Sequence, residues 1–562
     1  MSTIRVGRNV SDDDQTEGLT RRLWLALGLG SVTGLSGCLS DDPENGDGEG
    51  TPTETPTPDE TPTETETPTE TPSEQRVDEQ YVVDEFGDSI LAENELAGND
   101  GWMPYSPPGN QAGQEDHTVE GYAGSTSVAP GEEIDFYVST DPAARFRIDV
   151  YRLGWYDGVG GRYVASLPGP EDDVEGIAQP IPEPEPETGR IACDWEATNR
   201  LTVPDDWLSG LYLARFELTG GSRAGQSSAY PFVVRPKANR EAAGIVQLPT
   251  ATEQAYNAWG GKSLYDFNSH GDAANVVSYN RPVGNEPTWH LNAAVHLIRF
   301  LEAEGYDVAY ACDVDVHRDP DQLSEYELAI STGHDEYWSR DQRLGFEAAR
   351  DAGTNVAFLG ANIAYWQVRY EDDGRSMVCY KHTVDDDPVQ DENRTGLFRD
   401  VGLPECELLG VQGWGSGLFN FPDYEVQADG IDHPWMAGTG FEVGDEVIGI
   451  VGAEWDWIRP ACDVPGELTN FFHYEEGSSG LDISRDADAD AVAYTAPSGA
   501  TVFSAGTIEF NRPLDPEPDW QIGWPHTRAR QEKPEIDEAD PRLQQFARNM
   551  LDELLGPDGR AS

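Results

Sequence analysis

Residues 327–360 constrain the fold of this chain more than any other stretch. Glu327-Leu-Ala-Ile-Ser-Thr332 is a short apolar run of the kind that forms a buried parallel strand. The loop Gly333-His-Asp-Glu-Tyr-Trp338 follows. Ser339, with Gln342 three residues on, has the form of a capping box that opens a helix. Leu344, Phe346, Ala348 and Ala349 make that helix part apolar, Gly353 stops it, and Asn355-Val-Ala-Phe-Leu359 is the next strand. Strand, helix, strand predicts a parallel sheet, and in such sheets ligands bind in the crevice outside the carboxyl ends of the strands. The loop after Thr332 is therefore the expected place for a site.

The alternation continues on both sides. Gly244-Ile-Val-Gln-Leu248 predicts a first strand, with residues 250–261 as its loop. Residues 290–304 predict a helix with Leu291, Ala294, Val295, Ile298 and Leu301 on one face. Tyr306-Asp-Val-Ala-Tyr310 predicts a strand that runs into the acidic Asp313-Val-Asp315-Val-His317. Val447-Ile-Gly-Ile-Val451 and Thr501-Val-Phe-Ser-Ala505 read as further strands, and residues 541–555 as a closing helix. This is the pattern of a doubly wound α/β domain, over residues 236–556. Ahead of it, Ile134-Asp-Phe-Tyr-Val138, Arg145-Phe-Arg-Ile-Asp-Val-Tyr151 and Gly210-Leu-Tyr-Leu-Ala-Arg-Phe-Glu-Leu218 alternate with period two. They predict an immunoglobulin-like β-sandwich within residues 77–235, after an irregular lead-in.

The first 76 residues predict a leader and a spacer. Thr20-Arg21-Arg22-Leu23-Trp24-Leu25 fits a twin-arginine export motif, and the apolar run after it ends at Leu35-Ser36-Gly37-Cys38, a lipobox. Cleavage before Cys38 and lipidation of its sulfur would anchor residues 39–562 to the outer face of the cytoplasmic membrane. Residues 39–76, rich in Thr, Pro and Glu, have too few apolar side chains to offset chain entropy and read as a disordered stalk. Lys plus Arg number 37 and Asp plus Glu 104, a net charge of −67, which argues against nucleic acid as a partner. Carboxylate excess that persists through the folded part fits a protein adapted to high salt, where screening removes self-repulsion. Five cysteines follow Cys38, at 193, 312, 379, 406 and 462. None forms a CxxC pair, and the odd number leaves at least one thiol unpaired.

Tyr256, Asp313, residues 334–337, Glu454 and Glu509 all fall at predicted strand ends, which in a parallel sheet converge on one edge. Four motifs there and in the sandwich carry a resemblance: Gly333-His-Asp-Glu-Tyr-Trp-Ser339, Tyr151-Arg-Leu-Gly-Trp-Tyr156, Ala255-Tyr-Asn-Ala-Trp-Gly-Gly261 and Gly452-Ala-Glu-Trp-Asp456. Together they resemble the family of the large subunit of N,N-dimethylformamidase, whose α/β part is similar to class I glutamine amidotransferases. The resemblance implies hydrolysis of an amide C–N bond at a mononuclear Fe³⁺ held by two tyrosinates and a glutamate. Carried over by position, it implies Tyr337 and Glu454 as ligands. Tyr256 and Tyr310 compete for the second tyrosine, with Tyr256 preferred. His334 or Glu509 is then the group that moves protons. The turn Leu359-Gly-Ala-Asn-Ile-Ala364 has Asn362 and no cysteine, so the thiol chemistry of the amidotransferases is not expected.

Two other readings follow from the residues. The aromatics around Trp155 make a sugar-stacking surface conceivable, in a non-catalytic cell-surface protein that binds glycan or another ligand. The neighbours Asp335 and Glu336 raise a carboxylate-only hydrolase of carbohydrate derivatives.

Overall fold

The computed structural model describes residues 76–103, 117–237, 242–284, 291–417, 420–481, 483–517, 538–557 and 559–561. The expected leader with Cys38, and the stalk up to Gln75, lie outside the described residues. Residues from Arg76 onward form one unit. Among the described residues it is mostly β-sheet, in several sheets, with few helices.

The apolar runs become a nine-stranded sheet among the described residues. Val308–Cys312, Gly244–Leu248, Leu328–Gly333, Asn355–Gly360 and Thr501–Ser504 lie side by side and parallel. Ala489–Thr495, Thr469–Tyr474, Tyr424–Val426 and Glu446–Val447 extend it antiparallel. The sheet is therefore mixed. Strands buried on both faces need a continuous apolar sequence, which Leu328, Ala329, Ile330, Val356, Phe358 and Leu359 supply with no solvent exposure. Each such large aliphatic side chain contributes about 1.5–3 kcal/mol on burial.

The helix Arg340–Ala352 forms between two of these strands as its sequence predicts. Ser339 Oγ accepts from the Gln342 N–H at 3.2 Å, and Gln342 Oε1 accepts from the Ser339 N–H at 2.8 Å. Gly353 ends the helix at φ 110°. Phe346 is fully buried, 4.6 Å from the Trp338 ring centroid. Three other expectations change. Residues 250–261, read as a loop, hold the helix Thr250–Tyr256 and a tight turn at Trp259–Gly261, where Gly260 and Gly261 take φ of 74° and 89°. Asp313–Arg318, read as an acidic loop, is a short helix, its Asp315 carboxylate accepting from the Cys312 N–H at 3.0 Å. Of the strand expected at 447–451 only Glu446–Val447 pairs, because Gly449 turns the chain at φ 59°.

Two further sheets hold the earlier part of the chain. A seven-stranded sheet runs Tyr81–Val82, Gly161–Leu167, Arg145–Leu153, Gly210–Leu218, Ser227–Val234, Ser127–Val128, with Val174–Glu175 beside Arg145–Leu153. A three-stranded sheet of Glu120–Ala123, Glu133–Ser139 and Asn199–Thr202 packs on it through Phe136, Phe216 and Phe232. The core then continues without a break from Leu153 and Leu213 to Leu248, Ile298 and Tyr310 of the mixed-sheet region.

A charge staple crosses that junction. Arg152 on the seven-stranded sheet forms a two-pronged pair with Glu302 on the helix Asn292–Ala303, 2.8 Å at each prong, with both side chains fully buried. Tyr310 Oη and Asn94 Nδ2 donate to the same carboxylate at 3.2 and 2.7 Å. Tyr156 is fully buried, its hydroxyl donating to Glu93 at 2.9 Å, and the Arg299 guanidinium lies 5.1 Å over the Trp155 ring. The motif Tyr151-Arg-Leu-Gly-Trp-Tyr156 thus contributes Arg152, Trp155 and Tyr156 to the packing and hydrogen bonds of this junction. Tyr310 belongs to this staple. Among the described residues no helix is long and apolar enough to cross a membrane.

Candidate active site

The loop after Leu328–Gly333 does not stay irregular. Tyr337–Ser339 pairs in parallel with Trp366–Glu371 in a small separate sheet, in register Tyr337 with Trp366. This strand presses the Tyr337 ring into an apolar backing of Ala251, Ala255, Leu264, Trp366, Met377 and Cys379. Ahead of it in the loop, His334 and Glu336 are each 5% exposed. Beneath the loop, Asp335 accepts from Gln247 Nε2 at 2.7 Å and Ser331 Oγ at 2.8 Å. Burial raises its carboxyl well above the usual range, with the Asp313 carboxylate adding to the shift. Asp335 therefore anchors the loop from below and leaves the chemistry to its neighbours.

Those neighbours meet at one atom. Tyr256 Oη donates to Glu336 Oε2 at 3.2 Å, Tyr265 Oη donates to it at 3.0 Å, and His334 Nε2 stands 3.2 Å from it. Tyr337 Oη donates to Tyr265 Oη at 2.6 Å, and Lys381 Nζ donates to Tyr337 Oη at 3.0 Å. The Tyr256 and Tyr265 rings lie 4.1 Å apart. On the other side of His334, Glu454 Oε2 is 3.8 Å from Nε2 and also accepts from Asn362 Nδ2. Asn362, at φ 53°, gives its backbone N–H to Asp456 at 2.8 Å. It also lines a tight crevice with Tyr365, Arg399, Gln412 and Asp456.

The two glutamates are driven apart electrically. Burial works against the charged form of Glu336, but the His334 imidazolium and the Lys381 ammonium outweigh it and lower its carboxyl. Burial raises Glu454, and the nearby charge of Glu336 adds to the shift. Burial opposes protonation of His334 too, yet the Glu336 and Glu454 carboxylates hold it above its ordinary value. A lowered carboxylate beside a raised one is the arrangement that separates a permanent charge from a proton carrier.

Of the residues named from sequence, the structure thus brings together Tyr256, Tyr337, His334 and Glu454. Glu509 lies in the turn Ile508–Leu514, its carboxylate paired with Arg512 Nε at 2.8 Å. Glu336 falls within the strand-end loop 334–337 singled out from sequence but was given no ligand role there, and Tyr265 and Lys381 were not singled out. Tyr265 reaches Glu336 across 71 residues, a convergence no local pattern encodes.

The donor set fits an oxygen-preferring metal. Among the described residues no three His, Cys, Asp or Glu side chains gather as a metal group. What gathers here is two phenols and one carboxylate. Burial and the Glu336 charge push the phenols of Tyr256 and Tyr265 well above their ordinary value, so both ionise only against a cation. Hard oxygen donors of this kind suit Fe³⁺.

A mixed α/β sheet with oxygen donors and a histidine at its strand ends defines the class as a protein with a strand-edge site built for polar chemistry. The match to known families is specific. The family described as N,N-dimethylformamidase beta subunit-like, C-terminal, matches residues 147–522, and the chain belongs to it. The N,N-dimethylformamidase beta subunit of Paracoccus aminophilus is 25% identical over 220 residues, 31% of this chain and 28% of that protein. The chain thus spans just over a quarter of the length of that curated relative.

Proposed function

We propose that this chain is an amide C–N hydrolase of the dimethylformamidase-like kind, acting on a small amide outside the cell. The observation that carries the reading is the meeting of Tyr256 Oη, Tyr265 Oη and His334 Nε2 on Glu336 Oε2. Tyr256, Tyr265 and Glu336 would hold Fe³⁺. Relative to the sequence reading, Glu336 replaces Glu454 and Tyr265 replaces Tyr337. Bound iron supplies Lewis acidity toward a carbonyl and toward water.

The chain's own groups do the rest. Glu454, raised by burial and fixed by Asn362, takes a proton from water. His334, held protonated between the two glutamates, gives its own proton to the departing nitrogen and is reprotonated from Glu454. This moves the base role from Glu509, which is tied to Arg512, to Glu454. We read the two regions as an immunoglobulin-like sandwich and a class I glutamine amidotransferase-like α/β unit. Export by the twin-arginine route and lipidation at Cys38 complete the proposal. The disulfide Cys406–Cys462 supports an oxidising compartment.

The test is metal analysis with an absorption spectrum, on protein purified in high salt without chelators, beside Glu336→Gln. About one iron per chain with a visible tyrosinate band, both lost in the variant, is expected. Equal iron in both proteins would overturn the ligand assignment. A folded wild-type protein with no iron and no turnover of small amides would overturn the hydrolase reading.

A further inference from the structure

We propose that Lys381 and Tyr337 are positioning residues: they set the direction of the hydrogen-bond chain at the site, so that Tyr265 Oη receives a hydrogen bond. The significance of this for a metal rests on the reading above; the direction of the chain does not. Lys381 follows the strand Ser376–Val378 and extends its ammonium into a cage of rings. Its Nζ lies 3.3 Å from the Tyr265 ring centroid, 5.0 Å from Trp366 and 5.7 Å from Tyr337. Tyr337 is fully buried, and its backbone is held by pairing with Trp366.

The direction follows from the chemistry of the groups. An ammonium only donates, and a phenol carries one proton. Lys381 gives its hydrogen bond to Tyr337 Oη at 3.0 Å, which leaves the Tyr337 proton to point away from it, toward Tyr265 Oη at 2.6 Å. The Tyr265 proton is in turn directed at Glu336 Oε2, 3.0 Å away. Once Tyr265 gives up that proton, its oxygen keeps a donated hydrogen bond, and its ring keeps a cation on its face. Tyr256 Oη also faces Glu336 Oε2, at 3.2 Å. Tyr265 is thus a phenol whose oxygen is supported from Lys381 through Tyr337.

The experiment compares Tyr337→Phe, Lys381→Met and Lys381→Arg with wild type. Iron content and the visible tyrosinate band are read on loaded protein. Removing a hydrogen bond from a phenolate makes it a stronger donor. Tyr337→Phe is therefore expected to move the band to longer wavelength with iron retained, Lys381→Met to move it less, and Lys381→Arg to restore it. An unmoved band in Tyr337→Phe and Lys381→Met, with iron retained, would overturn the proposal. Should wild type carry no iron, the metal reading fails on its own, and the relay is read in metal-free protein from the ζ-carbon resonance of labelled Tyr265, assigned with Tyr265→Phe. A shift of that resonance in Tyr337→Phe and Lys381→Met supports the relay; an unshifted resonance overturns it. Tyr337→Phe removes only a hydroxyl and keeps the packing of the ring.

Discussion

Glu336 and Glu454 lie close to one histidine, and their environments give them different tasks. Glu454→Gln is expected to lower kcat by about 10²–10⁴-fold, the usual worth of a positioned proton carrier, with iron content unchanged. Steady-state kinetics beside metal analysis checks this. Asp456 offers a separate test on stability. Burial raises its carboxyl to about 7, against a lowering from the Asn362 N–H. A carboxyl raised in the folded state stabilises fully below its ordinary value near 3.8, and that stability is lost as pH climbs to about 7. Asp456→Asn keeps an oxygen for the Asn362 N–H and never ionises. It should match wild type near pH 4 and exceed it above pH 7 by about 4 kcal/mol, measured by denaturant unfolding across pH. From sequence, His334, Tyr256, Tyr337 and Glu454 were legible because each sits beside a recognisable strand end. Tyr265 and Lys381 were not, because what places them is packing around a ring cage built by chain segments far apart in sequence.

At the level of elements, the strands Leu328–Gly333 and Asn355–Gly360 end in a glycine pair. A Cβ on Gly360 would lie 1.9 Å from the Gly333 carbonyl oxygen, in backbone that cannot move aside. Gly360→Ala should cost at least about 1–3 kcal/mol and disturb the loop that begins at Gly333, seen as lower Tm and reduced iron content. The five parallel strands and the capped helix Arg340–Ala352 were readable because apolar runs and capping residues act locally. The strand Tyr337–Ser339 was not readable, since the segment it pairs with, Trp366–Val368, lies beyond the next helix and strand. The helix Thr250–Tyr256 escaped notice for a related reason: it has no side-chain cap at its start, and Pro249 precedes it.

Across the whole molecule the charge of −67 opposes compaction unless it is screened. Tm should therefore rise as KCl is raised from dilute to molar, where the Debye length falls to about 3 Å. A Tm that does not rise with salt would remove the case for adaptation to brine. The Arg152–Glu302 pair joins the two regions. Each ion is buried and answered by the other region, so replacing either side chain alone would leave an uncompensated buried charge. The seven-stranded sheet and the mixed sheet share one unbroken core, so a cut between them would bare apolar surface on both sides, and neither part is expected to fold stably when expressed alone.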